Sequence, residues 1–172
     1  ERGKYDLIIL SHGLQEVLSA KSREMLIDTL YNRLSNNGIL IVVEPGSPKG
    51  YRFINDIREY VIEKKTECRD QINQLKAKLE IENDSNNRIQ FENKIKNLMQ
   101  TENVNIIAPC QHSLTCPMAN KANDWCHFSQ MVQKYDKIIV PRVKRDTDLI
   151  NEKYSYVVVK KGEHIIDTIE EK

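Results

Sequence analysis

The stretch from Ile106 to Gln130, IIAPCQHSLTCPMANKANDWCHFSQ, constrains what this chain can fold into more than any other. It holds three of the four cysteines, two of the four histidines and the single tryptophan. The thiols are spaced Cys110-x5-Cys116-x9-Cys126. Soft thiolate sulfur shares electron density with zinc and iron, so this density of thiols points to a metal site. Pro109 and Pro117 stand beside two of the cysteines and stiffen the path, because proline fixes φ and removes a backbone donor. The Asn, Pro and His residues between the thiols mark a loop rather than a core segment. Two plainer readings compete: three thiols packed as small hydrophobes, or a disulfide with a spare thiol in a sequence that otherwise carries no mark of secretion. The spacing matches neither the paired Cys-x2-Cys of common zinc modules nor the tight run of bacterial ferredoxins, so a Cys3His zinc site and an iron–sulfur cluster both stay open. His112 and His127 are further candidate ligands, since a neutral imidazole serves either kind of centre.

Around this loop the sequence reads as α/β. Tyr5 to Ser11 is an apolar run suited to a strand buried on both faces. A helix capped by Ser19 or Ser22 and running through Leu34 follows, with Met25, Leu26, Leu30 and Leu34 at helical spacing. Asn36-Asn37-Gly38 ends it, and Ile39 to Val43 is the next buried strand. Strand, helix and strand with short links make half of a doubly wound sheet. Glu44-Pro45-Gly46-Ser47-Pro48-Lys49-Gly50 then lies at the carboxyl end of a strand, where open α/β sheets place ligands, although Pro and Gly also make an ordinary rigid turn. A helix with Phe53, Ile54, Ile57, Tyr60 and Val61 on one face comes next.

Composition changes over residues 62–103, where eight basic and eight acidic residues balance. A narrow apolar stripe, broken at Asn83-Asp84-Ser85-Asn86-Asn87, predicts a helical hairpin facing solvent or protein. Cys68 sits in it without a local partner and reads as an ordinary buried thiol. Trp125 to Gln133 is expected to start a helix, Tyr154 to Lys160 to form a strand, and His164 to Ile169 a last strand or tail. The predicted organisation is a sheet region at 1–61, a charged helical insertion at 62–103, the cysteine loop at 104–133, and a basic segment with closing strands at 134–172. The net charge of +1 over 172 residues gives no global pull toward nucleic acid, so any such binding rests on local patches. No apolar run reaches the roughly 18 residues of a membrane helix, and no membrane partner is expected. The chain opens on Glu-Arg-Gly-Lys rather than a methionine, which suggests part of something longer.

Taken in order, YDLIILSHGLQEV, GILIVVEPGSPKGYRFI, IIAPCQHSLTCP, WCHFSQ and KYSYVVVKK resemble the methyltransferase-like protein of the mitochondrial ribosomal small subunit, the methyltransferase-like protein 17 family. The resemblance covers about three quarters of the chain, with residues 62–103 standing out as an insertion. It implies the C-terminal half of a class I methyltransferase sheet of Rossmann type. It implies a 4Fe-4S cluster, with zinc as the alternative, held by Cys110, Cys116 and Cys126. The family's fourth cysteine lies beyond the strand that YSYVVVK resembles; this sequence has none there, so a missing segment or another chain is expected to supply it. No Gly-x-Gly loop for S-adenosylmethionine occurs, so cofactor-binding residues stay unknown and no catalytic residue is assigned. The implied role is a non-catalytic component or assembly factor of the small subunit in the mitochondrial matrix. Its partners would be small-subunit ribosomal RNA and ribosomal proteins. An active RNA methyltransferase and a zinc-stapled interaction module are the alternatives. Lys49, Arg52, Lys134, Lys137, Arg142, Lys144 and Arg145 are the expected phosphate contacts, because a nearly neutral protein grips a polyanion only through local Lys and Arg. His112 and His127 are expected to hydrogen-bond around the site or face RNA.

Overall fold

The computed structural model describes residues 3–121, 123–133 and 149–162. Lys134, Lys137, Arg142, Lys144, Arg145 and the closing segment at His164 to Ile169 lie outside the described residues.

The chain starts with β1 (Tyr5–Ser11), a single 3-10 turn (Leu14–Glu16), α1 (Ala20–Arg33) and β2 (Leu34–Pro45). β1 and β2 pair in parallel, Leu7 opposite Ile39 through to Ser11 opposite Val43. This is the strand–helix–strand unit that the two apolar runs and their short links predict. Ser19 caps α1 by accepting the Ser22 amide at 3.0 Å. Next come α2 (Pro48–Ile81), α3 (Ser85–Glu102), β3 (Val104–Ala108), β4 (Phe128–Gln133) and β5 (Leu149–Lys161). β5 runs antiparallel to β2 and fills the space between β2 and β3, so the sheet is mixed rather than wholly parallel.

β3 and β4 lie along the same edge of β5. β3 pairs with its end at Val158 to Lys161, and β4 pairs with its start at Leu149 to Tyr154. Both run antiparallel to β5, so together they form one interrupted edge strand with residues 109–127 looped out between them. The feet of that loop face Val158 and Tyr154, roughly 13 Å apart along the strand. The expected helix at Trp125 to Gln133 is therefore corrected to β4. Pairing with β5 and the contact of Phe128 with Tyr154 and Tyr156, at ring-centroid distances of 6.0 and 5.0 Å, outweigh a short helical pattern.

One face of the sheet carries the core. Leu40, Val42, Val157 and Val159 pack against Ile27 and Tyr31 of α1 and Ile54, Ile57 and Val61 of α2. The expectation that β1 is buried on both faces is corrected: Leu7 and Ile9 are 53% and 59% exposed. β1 ends the described sheet and so has one strand neighbour, and its Ile8 and Leu10 face the helices while Leu7 and Ile9 point away. β2 shows the same division, with Leu40 and Val42 buried and Ile39, Ile41 and Val43 half-buried.

α2 is unbroken from Pro48 to Ile81, a rod of roughly 50 Å. The composition change at residue 62 thus falls inside a helix. Its first half packs on the sheet; beyond that, Ile72 and Leu75 form a small second core with Ile95 of α3. Cys68 is buried on this rod, between the two cores in sequence. The turn Glu44 to Gly50 is set by close packing. A Cβ on Gly46 would stand 2.6 Å from the Lys153 backbone, and one on Gly50 2.0 Å from the Pro45 carbonyl. Glu44, fully buried, accepts the Leu14 amide at 2.7 Å and so ties the 3-10 turn to the end of β2.

Ile57, 1% exposed, sits at the centre of the main core, whereas Leu18 is 99% exposed. Urea unfolding of Ile57→Ala is expected to show a loss of about 2–5 kcal/mol, and Leu18→Ala a change within about 0.5 kcal/mol.

Candidate metal centre

The three clustered cysteines lie at the interruption in the edge strand, in the wall of one cavity. Cys110 lies just past the end of β3, after a cis Ala108–Pro109 bond, and Cys126 lies two residues before β4. Together with Cys116 they line one cavity, whose other walls are Tyr51, Ile54, Asn55 and Arg58 of α2 and Ser155 and Tyr156 of β5. All four cysteines are free thiols, and Cys68 is not in this wall. The three that the spacing singles out are thus brought together. Among the described residues, no three His, Cys, Asp or Glu side chains are grouped to hold a single metal ion.

Each part of the loop has an anchor. The Ser155 hydroxyl, 2% exposed, donates to the Cys126 carbonyl at 2.8 Å. The Trp125 indole N–H donates to the Gly46 carbonyl at 3.0 Å and joins the loop to the turn after β2. Arg58, 5% exposed, donates through Nη2 to the His112 carbonyl at 2.8 Å and to His112 Nδ1 at 3.2 Å, while Nη1 pairs with Glu59 at 2.9 Å. The Tyr51 hydroxyl donates to Cys116 Sγ at 3.4 Å. Burial pushes the Tyr51 hydroxyl pKa up, and the bond to Cys116 acts in the same direction, so the group stays an O–H donor. Burial also pushes the Cys126 thiol up, and the charges of Cys116 and Cys110 add to the rise.

The histidines are placed by their partners. The Leu114 amide and the Arg58 guanidinium both donate to His112 Nδ1, each at 3.2 Å, so Nδ1 accepts and the ring proton sits on Nε2. That tautomer leaves neither nitrogen of His112 a free lone pair for a metal. His127 donates Nδ1–H to the Trp125 carbonyl at 3.0 Å and packs on the Trp125 ring at 5.5 Å. Neither histidine lines the thiol cavity; both brace its rim. Lys49 and Arg52 are exposed on the first turns of α2, where the helix dipole opposes a cation, so helix stability does not account for their charge.

Tyr51, Asn55, Arg58 and Ser155 escape a reading built on cysteines and histidines. The first three recur at i, i+4 and i+7, and that helical spacing of polar groups beside the apolar face is the signal that reveals them. Ser155→Ala is expected to cost about 1–3 kcal/mol in a denaturant titration, because it leaves the Cys126 carbonyl unpaired with little change in volume.

The family model described as mitochondrial small ribosomal subunit Rsm22 matches residues 2–69 and 74–168. Two mitochondrial proteins of Schizosaccharomyces pombe (strain 972), Rsm22-cox11 tandem proteins 1 and 2, are each 28% identical to this chain over 170 residues. The alignment covers 94% of this chain and 18% of each relative, so the chain spans less than a fifth of the length of those proteins. Because the family match runs through the sheet, most of the helical hairpin and the whole cysteine loop, this chain belongs to the Rsm22 family of the mitochondrial small ribosomal subunit.

Proposed function

We propose that this chain is the metal-stapled, RNA-facing part of a methyltransferase-like protein that works on the mitochondrial small ribosomal subunit as a component or assembly factor. As a member of the Rsm22 family it is a mitochondrial protein related to that subunit. The observation that carries the reading is that Cys110, Cys116 and Cys126 line one cavity, while Cys68 does not. Three sulfurs with no carboxylate in the same wall are a soft donor set, which suits iron–sulfur chemistry or zinc rather than a hard cation. The motif resemblance favours a 4Fe-4S cluster held by these three thiolates and a fourth ligand from outside the described residues. A bound cluster would supply cross-linking of a polar loop rather than a reaction step, since metal-binding free energy becomes folding free energy. The parallel β1–β2 unit and the helices on one sheet face support a Rossmann-type sheet, of which this chain is the C-terminal half. β1, which has one strand neighbour among the described residues, is where further strands of that sheet would add. Methyl transfer is not part of the reading, because fold does not fix function.

RNA binding rests on local cations. Lys49 and Arg52 stand exposed beside the turn at Gly46, and Lys134, Lys137, Arg142, Lys144 and Arg145 follow β4 in sequence. Lys and Arg of this kind are suited to phosphate contacts that fix position without reading bases.

Two tests separate these parts. The full-length protein isolated without oxygen is expected to carry iron, acid-labile sulfide and a broad visible absorption band. Each of Cys110→Ser, Cys116→Ser and Cys126→Ser should abolish the band and Cys68→Ser should leave it; a colourless protein with zinc would replace the cluster by the zinc-stapled module. Reversing the charge of Arg142, Lys144 and Arg145 together should weaken association with the small subunit and flatten its salt dependence. An unchanged salt slope would mean that protein contacts hold the chain there.

A further inference from the structure

Three polar side chains of α2 face the thiol cavity from one stripe: Tyr51, Asn55 and Arg58. They share that wall with three cysteines, Ile54, Pro109, Ser155 and Tyr156. Arg58 is a buried guanidinium, and such a group is held in place only where its N–H donors find acceptors. It finds them at both ends of one loop residue, the carbonyl and the Nδ1 of His112, which stands between Cys110 and Cys116. Tyr51 aims its hydroxyl at Cys116 Sγ. Asn55 Oδ1 is buried with no hydrogen-bond partner. A buried amide oxygen left unpaired in a cavity of sulfurs is the reverse of what sulfur needs, since a thiolate or sulfide only accepts. Rotation of the Asn55 amide by half a turn exchanges the oxygen for two N–H donors.

We propose that Tyr51, Asn55 and Arg58 are the positioning residues of this centre. They hold the Cys110–Cys116 segment in shape before metal enters, and they give O–H and N–H donors to the sulfurs once it is bound. The inference rests on the cluster reading above. Donors to the sulfurs of a cluster stabilise its more negative, reduced state, so they raise its reduction potential. Arg58, its charge paired with Glu59 at 2.9 Å, fixes the loop through two bonds to one residue. Tyr51 and Asn55 act on the sulfurs themselves. The helix stripe therefore serves the centre as outer-shell partners serve other metal sites, by orienting ligands and setting their electron density.

The experiment uses the full-length protein, wild type and Tyr51→Phe, Asn55→Leu, Arg58→Gln and Arg58→Lys. Tyr51→Phe and Asn55→Leu preserve most of the packing, so their reading survives if Arg58→Gln fails to fold. In the cluster-loaded protein, Tyr51→Phe and Asn55→Leu are expected to lower the midpoint potential and to shift the sulfur-to-iron charge-transfer band, effects that a purely structural loss does not produce. In metal-free protein, Arg58→Gln is expected to speed amide hydrogen exchange across residues 110–116 at least tenfold, with Arg58→Lys recovering only part of the protection. A wild type that takes up no iron and sulfide overturns both the cluster reading and this inference. A wild type that holds the cluster, with variants unchanged in potential, band and exchange, overturns this inference alone.

Discussion

α2 packs in two directions at once, and the rest of the structure depends on how those directions are fixed. Ile54, Ile57 and Val61 enter the sheet core, while Tyr51, Asn55 and Arg58 line the thiol cavity. At 3.6 residues per turn the two stripes lie roughly a quarter-turn apart on the rod. Full burial of an Ile or Val side chain is worth about 1.5–3 kcal/mol, so the apolar stripe locks the helix axis and its rotation together. Once that rotation is set, the polar stripe has one place to point, toward the gap in the edge strand beside β5. The glycines at 46 and 50 serve the same end, because they let the turn after β2 close against β5 and start α2 without an intervening side chain. Ser47 then caps the helix by accepting the Gly50 amide at 3.1 Å.

The second constraint is the interrupted edge. A strand that leaves β5 at Val158 and returns at Tyr154 gives the loop two fixed feet and leaves Ser155 and Tyr156 facing it. Pairing therefore ends where the thiols begin, and the segment 109–127 is held by single side-chain bonds instead of a ladder. Ser155 holds Cys126, Trp125 holds the turn, Arg58 holds His112 and Tyr51 holds Cys116. Each such bond contributes about 1 kcal/mol net, a small sum against the ordering entropy of so long a loop. A metal centre that tied three points of the loop together, as proposed, would supply what these bonds lack. The hairpin beyond Val61 has its own core of Ile72, Leu75 and Ile95, so it is built separately from the site.

Much of this was legible in the sequence, for physical reasons. The parallel unit follows from apolar runs joined by short links, and the thiol cavity from three cysteines within a proline-bound loop. The hairpin follows from the helical stripe that breaks at Asn83 to Asn87. Other features were not legible because they depend on partners far away in the chain. β4 carries a local helical pattern, and its pairing with Leu149 to Tyr154 is invisible locally. The unbroken apolar run of β1 suits burial on both faces, yet the side bearing Leu7 and Ile9 is exposed. Arg58 and Asn55 look like an ordinary solvated helix face until the cysteine loop is laid over them. His112 makes hydrogen bonds around the site, as its loop position suggests, but its partners, the Leu114 amide and the Arg58 guanidinium, follow from the fold alone.

The central claim is that the loop closes around an iron–sulfur cluster bound by Cys110, Cys116 and Cys126. X-ray absorption at the iron edge, on full-length protein purified without oxygen, tests it most directly. The account predicts a first shell of sulfur alone at about 2.3 Å together with iron–iron scattering. Iron without an iron–iron shell, or zinc as the one stoichiometric metal, would contradict it.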